Sequence, residues 1–132
     1  MTLFTKSILA VKSPKDGLRI SVMSRHTLND GKTPHPKITT TSYHVWLQDL
    51  APNSTLVGSY YKGRLDWQSF RTAYITFLHE SPQAEKVQDL AKRALAQDIT
   101  IMCVEESPDH CHRRLLAEEC QLVEPKLMIS IG

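Results

Sequence analysis

Ile99-Thr100-Ile101-Met102-Cys103-Val104 is a nearly continuous apolar run, the pattern of a strand covered on both faces. On its N-terminal side Ala84, Val87, Leu90, Ala91, Ala94 and Leu95 recur at helical spacing behind Ser81-Pro82, a cap followed by a first-turn proline, and Gln97-Asp98 closes that helix. On its C-terminal side Ser107-Pro108 repeats the signal and predicts a helix carrying Cys111 through Leu122. Helix, buried strand, helix defines an α/β chain. The expected architecture is a small Rossmann-like three-layer sandwich, with a partly parallel central sheet of about four strands and flanking helices, occupying 1–132 as one domain.

Working outward, Ser7–Val11 and Leu18–Met23 read as strands around the turn residues Ser13-Pro14-Lys15-Asp16-Gly17, and Lys126–Ile131 reads as a last strand. Tyr43, Trp46, Leu47 and Leu50 fall at i, i+3, i+4, i+7 and predict a short helix that Pro52 stops. Leu56, Val57, Tyr60 and Tyr61 repeat that pattern up to Gly63, and Asp66 caps a third stripe of Trp67, Phe70, Tyr74, Phe77 and Leu78. Arg25–Thr41 has neither period and reads as a long loop.

With 132 residues, 41% hydrophobic and 23% charged, the chain is large enough to fold without disulfides or a structural metal and too apolar to be disordered. Net charge is +2, split between seven Lys/Arg against three Asp/Glu in residues 1–50 and nine against eleven in 51–132. That excess is small for a nucleic-acid binder, where a basic stripe is expected. No apolar run reaches the 18 or so residues that span a bilayer, and Lys12 and Lys15 close off Ile8–Val11, so a cytoplasmic protein is expected. In a reducing compartment three cysteines are packing, metal-binding or reactive groups.

Two of them fall in Cys103-Val104-Glu105-Glu106-Ser107-Pro108-Asp109-His110-Cys111-His112-Arg113, which runs from a strand end to a helix N-terminus. Open α/β sheets place ligand crevices there, and helix N-termini favour anions. The same field, with His112 and Arg113 adjacent, lowers the pKa of Cys111 toward a thiolate. Cys103 and Glu105 share one strand face, with Val104 opposite, and Glu105 is placed to act as a base or to hold an imidazole in one tautomer. Cys120 lies nine residues after Cys111, about half a turn around the helix, and reads as core.

Cys103-x-Glu105-x5-Cys111-His112-Arg113 followed by Leu115-Leu116-Ala117-Glu118 resembles the C-terminal hallmark of a bacterial and archaeal family, domain of unknown function 488. Trp46-Leu47 with Leu50-Ala51-Pro52, Tyr60-Tyr61-Lys62-Gly63, and Trp67 with Phe70-Arg71 and Tyr74 resemble its middle segment, so the likeness runs from about Arg19 to Cys120. It implies a small α/β domain with the cluster at a strand end. The front departs from the family pattern: many members carry a Thr-Ile-Gly-His type of strand end, where this chain has Val22-Met23-Ser24-Arg25-His26-Thr27. Arg25 and His26 are polar groups placed to stand in for it.

The favoured reading is a binding domain, hydrolytic or transferring, for an anionic small molecule such as a nucleotide. Cys111, Glu105, Cys103 and His112 are the candidate catalytic residues, and Arg113, Arg25, His26 and Lys62 the candidate ligand-binding ones. The sequence names no cofactor. One alternative is a metal site of Cys103, Cys111 and one of His112, His110 or His26, against which Cys-x7-Cys-His is an uncommon zinc spacing. A second is a non-catalytic nucleic-acid module using the basic front half. The plain readings compete throughout: Cys103 as a buried small hydrophobe, Arg113 paired with Glu118 or Glu119, His110 and Lys62 solvated, and Tyr60, Tyr61, Trp67 and Phe70 as core.

Overall fold

A computed structural model describes residues 1–28 and 30–132; Asn29, within the loop read at Arg25–Thr41, lies outside them. Five strands, β1 (Thr2–Ser7), β2 (Leu18–Ser21), β3 (Val45–Trp46), β4 (Ile99–Cys103) and β5 (Met128–Ser130), form one sheet in the order β3-β2-β4-β1-β5. Every pairing is parallel, with Leu3 and Leu18 both opposite Ile99. The apolar run at 99–104 is therefore the central strand, and all five residues of β4 are buried. Four helices follow one another around it: α1 (Ser54–Tyr61), α2 (Trp67–Leu78), α3 (Gln83–Ala96) and α4 (His112–Val123).

Alternation along the strands divides the sheet into two faces. Leu3, Ile20, Ile99 and Ile101 are fully buried on one face, packed with Phe70, Tyr74 and Leu78 of α2, Val87, Leu90, Ala91 and Ala94 of α3, and Leu115, Leu116 and Cys120 of α4. Each fully buried aliphatic side chain there contributes roughly 1.5–3 kcal/mol. Tyr74 donates its hydroxyl to the Leu50 carbonyl at 2.6 Å, so the buried phenol is satisfied. The other face has loops in place of a helical layer. Met102 meets Ile8, Ile38 and Tyr43, and Thr100 donates to the Asp16 carbonyl at 2.7 Å.

Asp16 organises that loop cover. Its carboxylate accepts from Lys6 at 3.0 Å, from Arg19, and from the Ser13 amide at 3.0 Å. Burial raises this carboxyl, but the Ser13, Lys6 and Arg19 hydrogen bonds outweigh it and hold it below the ordinary carboxylate value. The ion pairs thus stabilise the fold fully above the unfolded pKa of about 3.9 and are lost as pH falls through the depressed folded value. Asp16→Asn is expected to cost about 2 kcal/mol near neutral pH and to flatten the loss of stability below about pH 4, read as Tm against pH.

Three local expectations change. Tyr43–Leu50 is not a helix: Val45–Trp46 joins the sheet beside β2, and Gln48–Leu50 makes a single 3-10 turn. The exposed edge of β2 supplies the reason, since Arg19 and Ser21 carbonyls accept from His44 and Leu47 amides at 2.8 and 2.9 Å. The first strand is Thr2–Ser7 rather than Ser7–Val11, leaving Leu9 and Val11 exposed. The last helix begins at His112, with Cys111 at its N-cap, so Ser107-Pro108 marks a loop. No helix among the described residues is long and apolar enough to cross a membrane.

Candidate functional site

The chain enters β4 between β2 and β1 only after α3, and beyond the carboxyl ends of β2 and β4 a crevice of about 640 Å³ opens. Its walls are the segment after β2 (Met23, Ser24, Arg25, Thr27, Leu28), the inner side of α1 (Ser54, Thr55, Gly58, Tyr61), and the segment from Cys103 through His112. Cys103, Glu105, Cys111, His112, Arg25 and Lys62 all line it. Val104 lines it too, because β4 ends at Cys103 and strict alternation stops there.

Two sequence candidates lie elsewhere. His26 turns to the loop-covered side, with its Nε2 2.7 Å from the Ser21 hydroxyl and its ring between Tyr43 and Trp46, and burial lowers its pKa. Arg113 is fully buried behind the crevice. Its guanidinium donates to the carbonyls of Glu105 at 2.7 Å, Glu106 at 3.4 Å and Gly132 at 3.1 Å, and to Cys103 Sγ at 3.2 Å. Among the described residues it forms no salt bridge; Glu118 pairs with Arg114 and Glu119 with His79.

Cys103 and Cys111 are both 2% exposed, and their sulfurs are in contact as a disulfide pair with Cα atoms 7.6 Å apart. Cys111 is the N-cap of α4 and makes no side-chain capping bond, so its sulfur sits in the positive field of the helix start. His112 Nε2 lies 2.6 Å from the Val22 carbonyl, which can only accept, so Nε2 carries the hydrogen and Nδ1 keeps its lone pair. Burial, partly offset by that bond and reinforced by the Arg113 charge, lowers its pKa to about 4 and keeps the ring neutral at pH 7. Cys120 is a free, buried thiol in the helical core, pushed up to about 12 by burial and by Glu119.

Glu105 accepts from the Tyr61 hydroxyl, whose pKa is raised by burial and by this carboxylate. Tyr60 and Phe70 line the crevice as well as belonging to the helical core, and Tyr61 lines it as an exposed side chain, so the three are not core alone. His110 is exposed and stacks on Trp67 with ring centroids 4.8 Å apart. Gly31, at φ +73°, lets the Arg25 guanidinium lie against the loop backbone, where a Cβ would come within 2.8 Å of it. Arg64 also lines the crevice and was not among the sequence candidates. The signal for it was its place beside Lys62, two cations flanking the helix-ending Gly63.

Fold and crevice together define a parallel α/β protein with a cysteine- and histidine-bearing site beyond its strand ends. The chain belongs to the DUF488 family: the model of DUF488-N3a, described as the active DUF488-N3 subclade, matches residues 3–122. No curated protein and no solved structure shows significant similarity to it.

Proposed function

We propose that the crevice binds an anionic small molecule of the nucleotide class, with Glu105 placed to act on it as a general base in a hydrolysis or group transfer. One observation carries the reading: Arg25, Lys62 and Arg64 converge on an aromatic-walled crevice whose volume falls within the range of small-molecule sites. Among the described residues none of the three cations forms a salt bridge. The two carboxylates there are already engaged, Asp30 by Thr33 and the Lys32 amide, Glu105 by Tyr61. Cations remain to meet phosphate or carboxylate oxygens, and Tyr60 and Tyr61, half-buried and exposed, offer ring surface to a base. The description of the subclade as active agrees with catalysis.

Thermal shift and calorimetry with nucleoside mono-, di- and triphosphates test it. A nucleotide at 100 times its Kd should add about 2.7 kcal/mol of stability. Arg25→Ala and Lys62→Ala should each weaken binding about tenfold, the worth of one charge-assisted hydrogen bond. Glu105→Gln should retain binding and lose turnover. If no nucleotide at millimolar concentration moves the Tm of the unaltered chain, the reading fails.

A further inference from the structure

We infer that Cys103, Cys111 and His112 form a metal centre of the zinc class at the base of the crevice, with a fourth coordination position facing the crevice. The two sulfurs and a ring nitrogen of His112 lie within 4.8 Å of one another. The sulfurs are in contact in this structure, and a tetrahedral ion with thiolates at about 2.3 Å sets them about 3.8 Å apart, so the reduced pair must part by side-chain rotation to admit it. The backbone agrees: Cα atoms 7.6 Å apart exceed the roughly 4.4–6.8 Å that a disulfide spans, and an ion between the thiolates supplies the missing reach.

The surroundings are those of a ligand set. His112 gives its Nε2 hydrogen to the Val22 carbonyl, the outer contact that fixes a metal-binding imidazole and leaves Nδ1 for the ion. Arg113 donates to Cys103 Sγ at 3.2 Å, beside its bonds to the Glu105, Glu106 and Gly132 oxygens. A guanidinium held against a thiol favours the thiolate form that binds a metal. Cys111 gains the same preference from the α4 N-terminus. Among the described residues no fourth His, Cys, Asp or Glu joins the group, and Cys103, Cys111 and His112 are all among the residues lining the crevice. Three protein ligands and an open position are the arrangement of catalytic zinc sites, in which a water or a substrate oxygen takes the fourth place. From the disulfide pair, a dithiol reductant first supplies two electrons and two protons to give the free thiols; metal binding then releases the thiol protons and leaves the ion's oxidation state unchanged. The centre does not depend on the nucleotide reading.

The test uses the full chain, purified reduced and without a polyhistidine tag, stripped with a chelator and titrated with Co²⁺ and then Zn²⁺. One Co²⁺ per chain is expected, with intense thiolate-to-cobalt absorption in the near ultraviolet, visible bands of tetrahedral geometry, and displacement by Zn²⁺. Cys111→Ser should weaken both affinity and the charge-transfer band. His112→Ala should lower affinity at least about tenfold while keeping the band. Since variants at enclosed positions can fail to fold, alkylation of the unaltered chain gives an independent readout: Zn²⁺ should shield Cys103 and Cys111 from N-ethylmaleimide. Sub-stoichiometric Co²⁺ without the charge-transfer band, or equal alkylation with and without Zn²⁺, overturns the proposal. A stripped chain that still gains Tm from nucleotide, yet rejects both ions, removes the metal centre and keeps the anion site; the converse removes only the anion site.

Discussion

Gly17→Ala is expected to lower the free energy of unfolding by about 3–5 kcal/mol, a large share of the 5–15 kcal/mol typical of a domain. Gly17 has φ +62°, where an L side chain is strained, and a Cβ there would lie 2.1 Å from the Asp98 carbonyl oxygen. That carbonyl cannot retreat, because it accepts from the Leu18 amide at 3.0 Å while the Asp98 carboxylate accepts from the Thr2 amide at 2.9 Å. The clash therefore drives apart the starts of β2 and β4, the pair that seats the central strand. Urea unfolding followed by circular dichroism measures it. A loss under about 1 kcal/mol would show that the Asp98 turn yields, and with it the account of how β2 is registered.

Arg113→Met should cost about 3 kcal/mol and lower Tm by about 10 °C. Methionine keeps much of the aliphatic packing, but the carbonyls of Glu105, Glu106 and Gly132 lose a donor that serves all three at once. These contacts are half-buried, so the cost lies in the charge-assisted hydrogen bonds themselves, each worth about 1.5–3 kcal/mol at most. Arg113→Lys should recover little, because a single ammonium cannot reproduce the planar fork. The two variants separate a clamp from a surface cation: a role limited to contacting an anion in the crevice would leave unfolding of the ligand-free chain within about 0.5 kcal/mol of the parent.

Most of the architecture was legible because burial and period agree in its longest elements. The 99–104 run is the central strand, and the stripe Val87, Leu90, Ala91, Ala94 faces the sheet as α3. The misreadings have one cause, main-chain partners that no local pattern displays. Tyr43, Trp46, Leu47 and Leu50 have helical spacing, yet the unpaired edge of β2 captures Val45–Trp46, and Trp46 Nε1 donates to the Met23 carbonyl at 2.7 Å. Ser107-Pro108 has the look of a cap, but Arg113 holds the carbonyls of Glu105 and Glu106, so the chain turns into α4 only at Cys111. At the site, the crevice gathers Cys103, Glu105, Cys111, His112, Arg25 and Lys62 from the candidate set. Whether a side chain points into it was beyond reach for Arg113 and His26, because a residue's neighbours in sequence say nothing about which side of a sheet end it faces. The α1 wall had the same obstacle, since Ser54, Thr55 and Gly58 carry no chemistry that marks them.

The strand order has a consequence for the newly made chain. β1 and β2 run parallel and pair with β4, not with each other, and Leu3 meets a partner 96 residues downstream in Ile99. During synthesis β1 leaves the ribosome with no partner and β2 with only the two-residue β3 on one edge, and the two halves cannot join until the central strand emerges. Such long-range parallel pairing is slow and leaves apolar strand surface uncovered in the meantime. The time taken to synthesise the α1–α3 region is thus the time for which that surface stays uncovered. Truncations ending before Ile99 should emerge aggregated, while chains released past Val123 should be recovered in the soluble fraction.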